Sequence, residues 1–452
     1  MIKNTAKTLH HVINFGNYIL DQTRSVEFIK NVRSTFGTRI LVAFCSATVG
    51  VLVARFLGPA GKGQYSVAIT LGMMGVYLSL LGLNASNTHF VAKRRDLLPH
   101  LISNNILFSL IVGVLSLMAI GLVRHFFPKL ILIDSPLLWA FSVLWIPLSL
   151  ANILFQSLLI GIENIRKFNT VELLTAAAGP LGIGIMIPCN RISVENFFFC
   201  SLIGQILGLA LGVYYVKPFI KNLVANLSWK LLKETLWHGL RVLYLTSIFF
   251  FLLLSVDLLI IKYYLGEKQA GYYSVAMALA NLLLLLPGVI GTLLFAKLSA
   301  IPEAEMRWHY TLKVIKWSVA MMLVLLIIFV FLAKPLILLF FGQAFHPSII
   351  VFVWLTPAIF FASIAIIYLN YFSAEGMWMI STFSTAATSA INIILNLKMI
   401  PLVGILGASY AANISHGILM MILILYIFSR KQRIGNKGDT FIKHSPSKES
   451  VL

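Results

Sequence analysis

Charge is what this sequence has least of. Of its 452 residues only 11% are Asp, Glu, Lys or Arg, and only 15 are acidic; soluble chains carry about 25% charged residues. So few charges cannot keep a soluble surface solvated, and the 59% that are apolar are too many for one water-soluble core. Cysteine is nearly absent. Cys45, Cys189 and Cys200 form no CxxC pair, and three thiols cannot complete a disulfide set, which excludes a disulfide scaffold. The motifs of enzymes are missing too: there is no GxSxG, P-loop or HExxH, and the ten histidines lack metal-ligand spacing. The sequence therefore predicts no enzyme, no metal and no cofactor. Without an ATP-binding segment, energy must come from ion gradients, proton or sodium, or from substrate flux. Residues 1–35 hold seven charges and no continuous apolar run, so no cleavable signal is expected there.

Long apolar runs are what is present. A helix needs about 20 apolar residues to cross the ~30 Å hydrocarbon layer. Twelve runs qualify: 36–57, 65–84, 101–123, 136–160, 169–188, 194–215, 240–263, 271–296, 311–333, 348–371, 377–397 and 405–428. The fold class expected is an all-α integral membrane protein of about 12 transmembrane helices in two pseudo-symmetric six-helix bundles. The net charge of +20 could suggest nucleic acid, but the cations sit between apolar runs and form no stripe. With the N-terminus placed inside, 24 of the 35 Lys and Arg fall in inner segments and nine in outer ones; the other two are Arg39 and Arg241. That is a positive-inside bias, with an even number of spans and both termini cytoplasmic.

The chain repeats itself. Residues 55–71, RFLGPAGKGQYSVAITL, match 263–279, YYLGEKQAGYYSVAMAL, at eight of 17 positions with a constant offset of 208. Both copies fall at the turn between the first and second span of a six-span set. Gly58 and Gly266 follow apolar runs where a residue able to adopt positive φ ends a helix at low cost. Six is even, so the halves enter the membrane with one orientation, as a parallel repeat about an axis along the membrane normal. A weaker echo, Gly37-Thr38-Arg39 against Gly239-Leu240-Arg241, runs at offset 202. The expected divisions are 1–35, a cytoplasmic segment with the spacing of an interfacial helix; 36–216, the first lobe; 217–237, a cytoplasmic linker; 238–429, the second lobe; and 430–452, a basic, disordered tail.

The run Arg55 to Tyr65 resembles the first-loop signature of polysaccharide (O-antigen type) flippases. Gly82-Leu83-Asn84 through Lys93, Val256-Asp257-Leu258-Leu259-Ile260, and Pro401 to Ser409 are similar to the same family in order and spacing. The resemblance covers about residues 35–428. It implies a fold like that of the multidrug and toxin extrusion (MATE) superfamily and residence in a bacterial inner membrane. The function it implies is movement of an undecaprenyl-pyrophosphate-linked oligosaccharide from the inner to the outer leaflet. Polysaccharide polymerase and chain-length regulator proteins, with membrane lipids, are the partners it implies. A cation-coupled multidrug exporter of the same fold, a lipid II flippase and a non-transporting scaffold of a polysaccharide assembly complex stay open as alternatives.

A carrier of a lipid-linked sugar needs cations for pyrophosphate and amides for glycan. Charged groups within spans are costly and therefore default to function. Arg39 and Arg241, each about one turn into the first span of its half, are candidate pyrophosphate ligands, because guanidinium engages two oxygens at once; snorkelling to the interface is the alternative. Asp257, in Ser-Val-Asp-Leu-Leu, is a candidate ion-coupling residue or a partner for Lys262. Glu172 is a second coupling candidate or an interfacial acid. Asn84, Asn87, Asn152, Gln156, Asn281 and Asn370 are candidates to line a hydrated glycan path or to bridge helices.

Overall fold

A computed structural model describes residues 2–126, 133–219, 227–240 and 244–442, and these residues are almost entirely α-helical. Thirteen α-helices follow in order: α1 Ile2–Leu80, α2 Leu83–Lys93, α3 Leu98–Phe126, α4 Pro136–Gly161, α5 Ile165–Met186, α6 Val194–Val216, α7 Trp229–Gly239, α8 Leu245–Leu265, α9 Glu267–Ser299, α10 Ala304–Phe340, α11 Pro347–Ala374, α12 Trp378–Val403 and α13 Ile405–Ile442. Helices α4, α5 and α6 start where the sequence offers caps: the side chains of Ser135, Asn164 and Ser193 accept hydrogen bonds from the amides of Leu138, Lys167 and Asn196.

Among the described residues, eleven helices are long and apolar enough to cross a bilayer. The first, Ser34–Leu80, has 47 residues. As one straight rod it would measure about 70 Å, more than twice the hydrocarbon thickness. It is broken at Gly58, whose φ of 67° and ψ of −172° are not helical. Its two arms match the first two predicted spans, so the eleven helices provide for twelve crossings. Large apolar side chains face outward along them, Phe331 at 79% exposed and Leu402 at 82%, as lipid contact requires. This is an all-α membrane protein. The structure differs from expectation in detail: α1 is continuous from Ile2, so Arg39 does not lie near a helix start; the segment 217–237 contains most of α7; and the basic tail is helical to Ile442.

The helices form two compact units. One holds the described residues of Met1–Leu52, Ser79–Phe127 and Ser135–Gly239; the other holds those of Val53–Leu78, Pro128–Asp134 and Leu240–Leu452. The core of the first unit gathers Leu98, Leu101 and Ile102 of α3, Phe155, Leu158 and Leu159 of α4, and Phe168 and Val171 of α5. That of the second gathers Leu253 of α8, Leu294 and Leu298 of α9, Ile367 and Phe372 of α11, and Leu419 and Leu423 of α13.

The internal repeat meets itself within the second unit. Gly266, between α8 and α9, has φ 82° and ψ −176°, the conformation of Gly58 208 positions earlier. That region of backbone space is open essentially to glycine alone. One turn further on, a Cβ at Gly63 would overlap the Glu267 carbonyl oxygen, and a Cβ at Gly271 would overlap that of Pro59. Adding 208 to Pro59 and Gly63 gives Glu267 and Gly271, so the two contacts are images of each other. Such exchange is the mark of a twofold relation. Beside it, Gln64 Nε2 donates to Glu267 Oε2 at 2.6 Å, and Lys262 Nζ lies 2.9 Å from the other oxygen of Glu267 and 3.5 Å from Asp134.

Leucine at Gly63 or at Gly271 should therefore destabilise the protein by a similar amount, about 1–3 kcal/mol. Gly184→Ala, which meets nothing within 4 Å, should change little. Thermal unfolding of the detergent-solubilised variants checks this; unequal effects at Gly63 and Gly271 would contradict the symmetric contact.

Candidate functional site

Two buried polar networks run through the helices, one in each unit. In the first unit, Asn169, Glu172 and Thr175 recur every three residues and form one face of α5. Asn169 Nδ2 donates to Ser34 Oγ at 3.1 Å. Arg39 of α1 lies 2.9 Å from Glu172 Oε1, with the guanidinium side chain 54% exposed and the carboxylate 14% exposed. Thr175 Oγ1 accepts from Asn152 Nδ2 of α4 at 3.2 Å, and the same amide donates to Gln205 Oε1 of α6 at 3.0 Å. Gln156 Nε2, one turn along α4, donates back to Asn152 Oδ1 at 3.1 Å. Four helices are thus tied through a line of amides, two hydroxyls and one ion pair.

Arg39 and Glu172, which the sequence suggests as separate groups, are partners. The second oxygen of Glu172 is buried and has no hydrogen-bond partner among the described residues. The pair is thereby under-satisfied on its acidic side and half-open on its basic side. Arg241 lies outside the described residues.

In the second unit Asp257 of α8 is 2% exposed. Tyr273 of α9 donates its hydroxyl to Oδ2 at 2.7 Å, and Asn396 of α12 donates Nδ2 to Oδ1 at 2.9 Å. Lys262 is not its partner, being committed to Glu267 and Asp134. Asn396 also contacts Asn392 Oδ1 at 3.0 Å. Asn396 Oδ1 and Asn392 Nδ2 have no hydrogen-bond partner among the described residues, although both side chains are fully buried. A buried carboxylate with no cation beside it, ringed by amide groups with unused capacity, is an expensive arrangement and an appropriate one for a proton or a small cation. It continues a polar stripe along α12, Ser381, Thr385, Thr388, Asn392 and Asn396, all at most 1% exposed, at steps of three or four residues. Thr246 pairs with Thr382 at 2.6 Å, and Ser389 donates to the Phe249 carbonyl, which fixes α12 against α8.

The remaining predicted amides are scattered. Asn87 is fully buried and donates to Asn105 Oδ1 at 3.1 Å. Asn84 is half-buried, Asn281 is exposed, and Asn370, half-buried, donates to the Ile366 carbonyl of its own helix at 2.9 Å. Sequence reasoning missed Thr175, Gln205, Tyr273, Asn392 and Asn396. The α12 stripe has a legible signal, five polar residues at helical spacing in an apolar span.

Eleven long apolar helices, the first broken at Gly58, with buried polar networks between them define a multi-pass membrane protein. The sequence pattern of the polysaccharide biosynthesis protein family matches residues 52–350, more than half of the chain, and the chain belongs to that family. A Shigella flexneri protein named as an O-antigen transporter is 26% identical over 431 residues, covering 90% of this chain and 98% of its own. Among solved structures, an inward-facing multidrug resistance MATE family transporter of the MOP superfamily superposes with a TM-score of 0.71 at 13% identity, covering 87% of this chain and 96% of its own. The lipid II flippase MurJ, in an inward closed conformation, superposes with a TM-score of 0.69 at 18% identity, covering 88% of this chain and 87% of its own. The fold is MATE-like, as the resemblance implied.

The two networks make different energetic predictions. A double-mutant cycle of Arg39→Ala and Glu172→Ala should give a coupling of about 0.2–1 kcal/mol, small because the guanidinium is half exposed. Asn396→Leu, which leaves the buried Asp257 with one donor fewer, should cost about 1–3 kcal/mol. Unfolding in detergent measures both; a neutral Asn396→Leu would contradict the geometry of the second network.

Proposed function

We propose that this chain is a flippase carrying an undecaprenyl-pyrophosphate-linked oligosaccharide from the inner to the outer leaflet of the bacterial cytoplasmic membrane, by alternating access, with both termini cytoplasmic. The observation that carries this reading is Arg39. A half-exposed guanidinium inside a membrane span, in a member of the polysaccharide biosynthesis protein family, has a chemical reason to exist if a diphosphate is to be received there. Arg241, the counterpart of Arg39 in the weaker sequence echo, is assigned the same role. Glu172 holds Arg39 until the diphosphate displaces it, since its unpartnered oxygen gains from release toward water. The amides of Asn152 and Gln156, with Asn84, Asn87, Asn281 and Asn370, supply hydrogen bonds to sugar as helices part.

Asp257 is assigned the coupling step. Proton or sodium occupancy removes the cost of a bare buried carboxylate and uses the free oxygen of Asn396. The reciprocal glycine contact at Gly63 and Gly271 is the seam that opens when the load is delivered outward. A lipid-linked sugar handed over on that side is then available to a polymerase and its chain-length regulator.

The multidrug-exporter alternative is favoured by one observation, the superposition on a multidrug resistance transporter. It needs no diphosphate ligand and so no role for Arg39. Deletion of the gene should abolish surface polysaccharide and accumulate the lipid-linked intermediate, and Arg39→Ala/Arg241→Ala should do the same at normal membrane abundance. Full export by that double variant would sink the reading. In vesicles, Asp257→Asn should flip without response to an imposed ion gradient; an unchanged response would remove Asp257 from coupling.

A further inference from the structure

A second cationic site lies outside the membrane-crossing helices, in the first unit. Helix α7 packs on α2 with Gly82 and Gly239 in backbone contact. This brings His238 over His89: the rings are 4.7 Å apart and nearly parallel, at 18°. Phe90 stands edge-on to both. Ser86 gives its single hydroxyl proton to the Thr235 carbonyl at 2.7 Å, so the 3.2 Å contact between Ser86 Oγ and His238 Nδ1 requires the proton on Nδ1. The Nε2 of neutral His238 then carries a lone pair, and protonation turns it into a donor.

The surroundings are rich in cations. Lys93 follows His89 by four residues on the same face of α2. Its neighbours Arg94 and Arg95 are paired, with Asp96 at 2.9 Å and Glu163 at 3.5 Å, whereas Lys93 has no acidic partner among the described residues. His100 belongs to α3. On α7 itself, Lys230, Lys233 and Glu234 are exposed, and the field of Glu234 reaches Arg94. Burial first, then the nearby His89 ring and Lys93, hold His238 below the ordinary imidazole range. Once His238 is protonated, two cations, its ring and the Lys93 ammonium, stand close together with no acidic partner for Lys93 among the described residues, and an anion bound beside them would relieve that repulsion.

We propose that His89, His238 and Lys93 form a diphosphate-binding site at the non-membrane edge of the first unit, occupied together with uptake of a proton. The proposal rests on the flippase reading for its ligand, since it gives a docking point for the head group before Arg39. Because a bound anion favours the protonated form of His238, affinity rises as pH falls.

The test is calorimetric titration of the full-length protein, in nanodiscs of neutral lipid, with inorganic pyrophosphate. Binding should be about tenfold tighter near pH 6 than near pH 8. His238→Asn should abolish that pH dependence, and Lys93→Gln, an exposed change that leaves packing intact, should weaken binding about fivefold or more at both pH values. Absence of binding, or binding unaltered in both variants, overturns the proposal. Nanodiscs containing phosphatidylglycerol should not compete; if they displace pyrophosphate fully, the ligand is a phospholipid head group and the diphosphate assignment falls. The titration does not depend on export. A failed titration with export intact sinks this site alone, and a positive titration together with surface polysaccharide that survives deletion of the gene sinks the flippase reading alone.

Discussion

The two copies of the repeat are held together in the second unit by a contact of backbone on backbone. Gly63 meets the backbone of Glu267, and Gly271 meets that of Pro59, each the repeat image of the other. In lipid no hydrophobic drive holds helices together, so close backbone approach at small residues takes its place. The breaks at Gly58 and Gly266 are what allow it: each turns the chain so that the second arm starts beside its counterpart. The same contact explains why residues 53–78 pack with the second unit although they precede most of the first.

The polar networks obey one rule with opposite outcomes. Inside a membrane protein an amide must find a partner, and Asn152 does so completely, bonding Thr175, Gln205 and Gln156. In this arrangement that set is closed and ties α4 to α5 and α6. Asn392 and Asn396 do not, and they leave a donor and an acceptor unused next to a carboxylate that has hydrogen bonds but no counter-charge. Incomplete satisfaction beside an ionisable group marks where occupancy can change. The ion pair of Arg39 and Glu172 lies between these cases, closed on one face and open on the other.

Much of the fold was legible because membrane crossing forces long apolar runs, and because a repeat of eight matches in 17 marks two similar halves. The break within α1 could be anticipated from Leu57-Gly58-Pro59, yet its conformation could not. Membership of the site was less legible. Spacing along one helix reveals faces, as on α12, but not what faces them. Asp257 could be singled out as a mid-span acid while its partners Tyr273 and Asn396, 16 and 139 residues away, could not. Lys262, the nearer candidate in sequence, is drawn instead to Glu267 by the local turn at Gly266. Asn87 and Asn152 read alike as span amides with Asn281, although two are buried and the third is exposed. Burial, not residue type, separates them.

The proposed alternating-access cycle requires that the seam between the repeat copies part during each turn of transport. Gln64 and Glu267, hydrogen-bonded at 2.6 Å beside the glycines, are placed to be joined. Cysteines at these two positions, in a chain whose Cys45, Cys189 and Cys200 have been replaced by serine, can be oxidised to a disulfide in cells and reduced again. Polysaccharide export is then followed in both states. Export that stops on oxidation and returns on reduction is the predicted result; export at an undiminished rate with the disulfide fully formed would contradict a seam that must open.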